Sequence, residues 1–118
     1  MYIHCKRVYE TPSPEDGFRV LVDRLWPRGI RKEDLPHDRW EKDLAPSPEL
    51  RRRFGHREEN WEWFQQAYRQ ELENPGQRER MAELLKAAGQ GTLTLLYAAR
   101  DTRRNHAVVL AQALKALY

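Results

Sequence analysis

The chain has 118 residues and a mass of 14.1 kDa, the size of one domain with a single core and too short for two. Hydrophobic residues make up 40% and charged residues 33%, and 21 basic against 18 acidic side chains leave a formal charge of +3. Most surface charge is therefore offset by its neighbours, and collagen, low-complexity disorder and a disulfide scaffold are excluded. The single Cys5 allows no intrachain disulfide and no cysteine-based metal cluster, the usage expected of a cytoplasmic protein. The stretch MYIHCKRVYE lacks the apolar core of a signal peptide. The longest apolar run, Leu95 to Ala99, is far below the roughly 20 residues of a membrane span, so no membrane association is expected.

Residues 2–8 and 18–25 are β-compatible, and Val20-Leu21-Val22 has the unbroken apolar character of a strand covered on both faces. Between them Ser13-Pro14-Glu15-Asp16-Gly17 reads as a cap, a proline at the first helical position, two acids and a glycine stop, which is at most one turn. This link is short for a parallel crossover, so the order and direction of the first two strands stay open. Asp38 to Leu44 alternates weakly and is taken as a third strand. Ser47-Pro48-Glu49 opens a short helix that Gly55 closes.

From Arg57 to Glu73, Trp61, Phe64, Tyr68 and Leu72 recur at steps of three and four, predicting an amphipathic helix that Asn74-Pro75-Gly76 ends. Gln77 to Ala88 forms another, with Met81, Leu84 and Leu85 inward and Gly89 as its stop. Thr92 to Ala98 is the last strand, and Asn105 caps a final helix carrying Val108, Val109, Leu110, Leu114 and Leu117. The pattern predicts an α/β domain over residues 1–118, with about four mainly parallel strands and helices packed on the sheet.

Ligands of open α/β sheets bind outside the carboxyl ends of the strands. Three such ends are polar: Arg7-Val8-Tyr9, the run from Asp23 through Arg24, Trp26 and Arg28 to Gly29, and Tyr97 to Asp101 ahead of Asn105-His106. If the strands are parallel, these ends converge on a crevice where Arg24, Arg28 and Arg100 act as fork-shaped anion donors. A helix N-terminus would add backbone N–H groups there, and Trp26 an apolar wall. A small phosphate- or carboxylate-bearing ligand fits that chemistry.

The segments DGFRVLVDRLWPRG (16–29), LAPS (44–47), FGH (54–56), LLYAARD (95–101) and NHA (105–107) resemble the YeaO-like proteins of domain-of-unknown-function family 488, over nearly the whole chain. The resemblance implies a small cytoplasmic α/β protein and singles out Asp23, Arg24, Trp26, Pro27, Arg28, Arg100, Asp101, Asn105 and His106, without bringing an established reaction. Longer relatives carry Cys-His-Arg where this chain has Asn105-His106-Ala107, so a thiol and a guanidinium are missing here. Rhodaneses share the strand-ending acid and arginine of Asp23-Arg24, but their nucleophilic cysteine has no counterpart in residues 97–104. Cys5, inside a strand, reads as an inert buried thiol.

Each candidate has a structural alternative. Asp23 is either a general acid or base or the neutralising partner of an arginine, and His106 is either a proton-transfer group or a satisfied structural imidazole. Trp26 either stacks on a ring or anchors the core. Asp101 ahead of a helix suits a cap as well as a site. No paired histidines, HExxH, GxGxxG, P-loop or GxSxG occurs, so no metal or cofactor is expected. Two other readings use different surfaces. Arg51-Arg52-Arg53 could serve a non-catalytic nucleic-acid-binding accessory module, and Trp63, off the main helical stripe, could serve a homodimer.

Overall fold

In the computed structural model, which describes residues 1–118, all four expected strands join one sheet: β1 (Tyr2–Arg7), β2 (Phe18–Leu21), β3 (Arg39–Trp40) and β4 (Thr92–Tyr97). Every pairing is parallel and the order is β1-β4-β2-β3. The last strand in sequence thus lies inside the sheet, between the first two. That order resolves the short link. Residues 8–17, if extended, reach about 33 Å, enough to run back along the sheet and step past one strand. Gly17 closes this link at φ 63°, so near Thr92 that a Cβ would lie 2.4 Å from the carbonyl oxygen, a position that tolerates no side chain.

The third strand is shorter than its alternation predicts. After Trp40 the Glu41 amide bonds Leu21 O at 2.8 Å, and Lys42–Leu44 then tightens into a 3₁₀ turn that buries Leu44 completely. The helices are α1 (Pro48–Phe54), α2 (Trp61–Leu72), α3 (Pro75–Ala88) and α4 (His106–Leu117). Pro75 does two jobs, closing α2 and occupying the first turn of α3. Ser47 Oγ accepts from the Leu50 amide at 3.3 Å, and Asn105 Oδ1 accepts from Val108 at 3.1 Å. Both are the caps that the sequence predicts.

All four α-helices lie on one face. Their Leu50, Phe54, Phe64, Tyr68, Met81, Leu84, Leu110 and Leu114 pack with Ile3, Val20, Val22, Leu93, Leu95 and Tyr97 in one core. The alternating neighbours Leu21 and Leu96 face the other way, into a smaller cluster with Val8 and Leu35 that Trp26, Ile30 and Trp40 flank. Beside it lies a buried ionic group: Lys6 Nζ donates to both Asp16 oxygens at 3.0 and 3.1 Å, and Arg19 is ion-paired to the same carboxylate. Loops, not helices, cover this face. No helix is long and apolar enough to cross a membrane.

Candidate functional site

A cavity of about 540 Å³ opens where the chain leaves β2 and β4. Asp23, Arg24 and Leu25 follow β2, and Ala98 to Asp101 follow β4. Arg51, Phe54 and His56 come from α1 and its C-terminal turn, and His106 is the first residue of α4; Ala45, Pro46 and Phe64 complete the lining. This is the convergence that parallel strands predict.

Its walls are held from outside. Asp23 Oδ2 accepts from the Ala98 amide at 3.0 Å, while Arg7 donates Nε to Ala99 O at 2.9 Å and Nη2 to Ala98 O at 3.3 Å. The loop carrying Arg100 is therefore fixed at its base from two strands. On the other side, Arg24 donates to the Ala45 and Pro46 carbonyls at 3.3 to 3.4 Å. Tyr68 hydroxyl donates to Leu44 O, and Glu71 accepts from both the amide and the hydroxyl of Ser47. Burial, with Glu71 nearby, drives the Tyr68 phenol far above its ordinary range, so it stays a neutral donor. Asn105 ties the start of α4 to the preceding loop by donating Nδ2 to Asp101 O at 2.9 Å.

His106 Nε2 lies 3.0 Å from Val22 O and 3.0 Å from Asp23 Oδ1. Both neighbours are acceptors, so Nε2 carries the hydrogen and Nδ1 is the ring's remaining acceptor in the neutral form. The bond is aimed at the carbonyl. Asp23 Oδ1, although near, lacks a hydrogen-bonding angle to it and is left buried without a donor. Asp101 is engaged locally: its Oδ1 accepts from the Arg104 and Arg103 amides at 3.0 and 2.9 Å. These bonds, led by that of Arg104, hold its carboxyl below the usual range.

None of the three arginines lining the cavity has a carboxylate partner. Arg24 is bonded to carbonyls, whereas Arg51 and Arg100 are exposed and their guanidinium groups have no hydrogen-bond acceptor. His56 stands at the lip with φ 55°, the one non-glycine residue at positive φ, directly after the left-handed Gly55 that caps α1. Two consecutive left-handed residues turn the chain sharply and set the imidazole 5.5 Å from the Phe54 ring. No group of three or more His, Cys, Asp or Glu is arranged to hold a metal ion.

Among the residues singled out by sequence, Asp23, Arg24, Arg100, Asp101 and His106 line the cavity. Asn105 is buried behind it as a cap. Trp26 and Arg28 lie elsewhere. The Trp26 indole donates to Ile30 O at 2.6 Å and packs edge-on to Trp40 and His37 in the opposite-face cluster. Arg28 is exposed, its carbonyl accepting from Tyr9. Sequence reasoning missed Arg51, His56, Phe54, Phe64 and Leu25, which come from the helical side or appeared as parts of other patterns. The arginine triplet does not form one surface: Arg51 faces the cavity and Arg53 lies over the Trp63 ring at 4.1 Å. Trp63 itself is half-buried and packs on the main core.

The α/β chain belongs to a recognised family. The model of a family described as the inactive DUF488-N3 subclade matches residues 2–118, and the chain is a member of that family. It is 47% identical over 118 residues to the uncharacterized protein YeaO of Escherichia coli (strain K12), across 99% of this chain and all of that protein. It is also 46% identical over 112 residues to the uncharacterized proteins Mb3100c of Mycobacterium bovis and Rv3073c of Mycobacterium tuberculosis, covering 95% of this chain and 92% of each. No solved structure matches it significantly.

Proposed function

We propose that the protein binds a small phosphate- or carboxylate-bearing anion in the crevice at the strand ends, without turning it over. Arg51 and Arg100 are its donors, and Arg24 contributes positive charge from a fixed position. The observation that carries this reading is the pair of guanidinium groups without carboxylate partners, reaching one cavity from two separately anchored elements. Arg19, Arg39 and Arg104 each meet a carboxylate; other exposed arginines such as Arg28 and Arg52 also lack one, but they do not line the cavity. Planar guanidinium forks suit phosphate and carboxylate, and the lining holds three arginines against Asp23 and Asp101.

Binding without turnover is supported by the subclade's description as inactive and by Asn105 serving as a cap where longer relatives carry a cysteine. In this reading Asp23 and His106 hold the Ala98 loop and the start of α4 in register rather than transfer protons. The site of action is cytoplasmic, in keeping with a single cysteine that can form no intrachain disulfide.

The test is thermal stabilisation by inorganic phosphate, sulfate and citrate. An anion at about 100 times its dissociation constant adds about 2.7 kcal/mol to the native state. The expected outcome is a rise in Tm for the wild type that Arg51→Ala and Arg100→Ala both lose while melting cooperatively at the wild-type temperature. Equal stabilisation of all three proteins would remove the site from this crevice.

A further inference from the structure

The cavity is larger and greasier than an inorganic anion requires. Its 540 Å³ falls in the range of sites that enclose organic molecules, and two nearly buried aromatic rings, Phe54 and Phe64, are among its lining. Phe54 and Phe64 are stacked with centroids 4.3 Å apart and planes at 17°, and the exposed His56 ring, held by its left-handed backbone, is tilted by 49° against Phe54. At the lip Leu25 leaves 61% of its surface in solvent, although it sits one residue from Arg24 and within reach of the same cavity. The exposed guanidinium planes of Arg51 and Arg100 can stack on a ring as well as bond an anion.

From this we infer that the ligand is an anion carrying an aromatic or heteroaromatic ring. Its charged group meets Arg51 and Arg100, and its ring lies along Leu25 and the guanidinium planes, above the buried Phe54 and Phe64. The inference rests on the anion-binding reading and narrows its ligand class. Exposed guanidinium planes favour a flat ring over an aliphatic group of similar bulk, because stacking on a π-face gains beyond the area buried.

Three probes separate the outcomes: phenyl phosphate, cyclohexyl phosphate and inorganic phosphate, titrated calorimetrically at pH 8. Phenyl phosphate is expected to bind at least tenfold more tightly than inorganic phosphate, about 1.4 kcal/mol, and more tightly than cyclohexyl phosphate. Leu25→Ser should narrow the phenyl-to-inorganic ratio at least threefold. Arg100→Ala should weaken both phenyl and inorganic phosphate. Equal affinity for phenyl and inorganic phosphate would overturn the ring while leaving the anion site standing, and equal affinity for phenyl and cyclohexyl phosphate would overturn its aromatic character. Binding of none of the three would remove the anion site itself, and this inference with it.

Discussion

Two acids, each close in sequence to an arginine, have opposite surroundings on the two sides of one sheet. Asp16 lies on the loop-covered face and is 3% exposed. Burial alone would raise its carboxyl, but the Ser13 amide and then Lys6 and Arg19 outweigh that and hold it below the ordinary value. Every oxygen has a donor. Asp23 lies at the helix-side crevice, with Oδ2 satisfied by Ala98 and Oδ1 left without a hydrogen bond; around it none of the cavity's three arginines has an acid partner, and two of them are exposed. Asp16 sits in a saturated charge cluster, which has nothing left to offer a ligand and serves the fold. Asp23 belongs to an unsaturated one, which retains unused donors at a surface cavity.

That contrast breaks most readily at Asp16. Asp16→Ala strands Lys6 and the buried Arg19 without a counter-charge, and should cost about 3–5 kcal/mol in chemical denaturation. A loss below about 1 kcal/mol would make the two clusters equivalent. The same carboxylate should shape the acid limb of stability. Because its folded value is depressed, its contribution is complete above the unfolded value of about 4 and is lost as pH falls through the folded one. Melting between pH 6 and pH 2 should therefore show a shallower acid decline in Asp16→Asn than in the wild type, from a lower starting stability.

Smaller effects test the crevice. Asn105→Ala removes both the α4 cap and the bond to Asp101 O, and should cost about 1–2 kcal/mol, seen as a lower denaturation midpoint with an unchanged slope. Arg51→Ala and Arg100→Ala should be the mildest, within about 0.5 kcal/mol of wild type without ligand, because nothing in the fold leans on either guanidinium. A large loss in either would place it with the saturated cluster.

The sequence carried the element list further than the site. Capping residues and helical periodicity located α1, α2, α3 and α4, because these signals are local. The apolar run Val20-Leu21-Val22, 0% exposed at each residue, correctly indicated a strand covered on both faces. It could not say that loops supply one of the covers. Residues adjacent in sequence part company at the site: Asp23 and Arg24 face the crevice, while the chain turns at Leu25 and carries Trp26 to the other face. Likewise Arg51, Arg52 and Arg53 look like one basic run, yet steps of about 100° along a helix send them in different directions. Phe54, Phe64 and His56 escaped notice because strand ends point to a crevice but not to what closes it.

The place of β4 inside the sheet has a consequence for how the molecule is made. β1 and β2 do not pair with each other; each pairs with β4, whose residues 92–97 come late in the chain. During synthesis β2 can meet only the two-residue β3 and β1 has no partner while α1, α2 and α3 emerge, and the sheet is completed only when the final quarter of the chain is available. Folding must close these long loops before it gains their contacts, which slows it relative to a helical bundle of equal size. The nascent chain is for that interval a set of open edges, the state in which strand mispairing and aggregation begin.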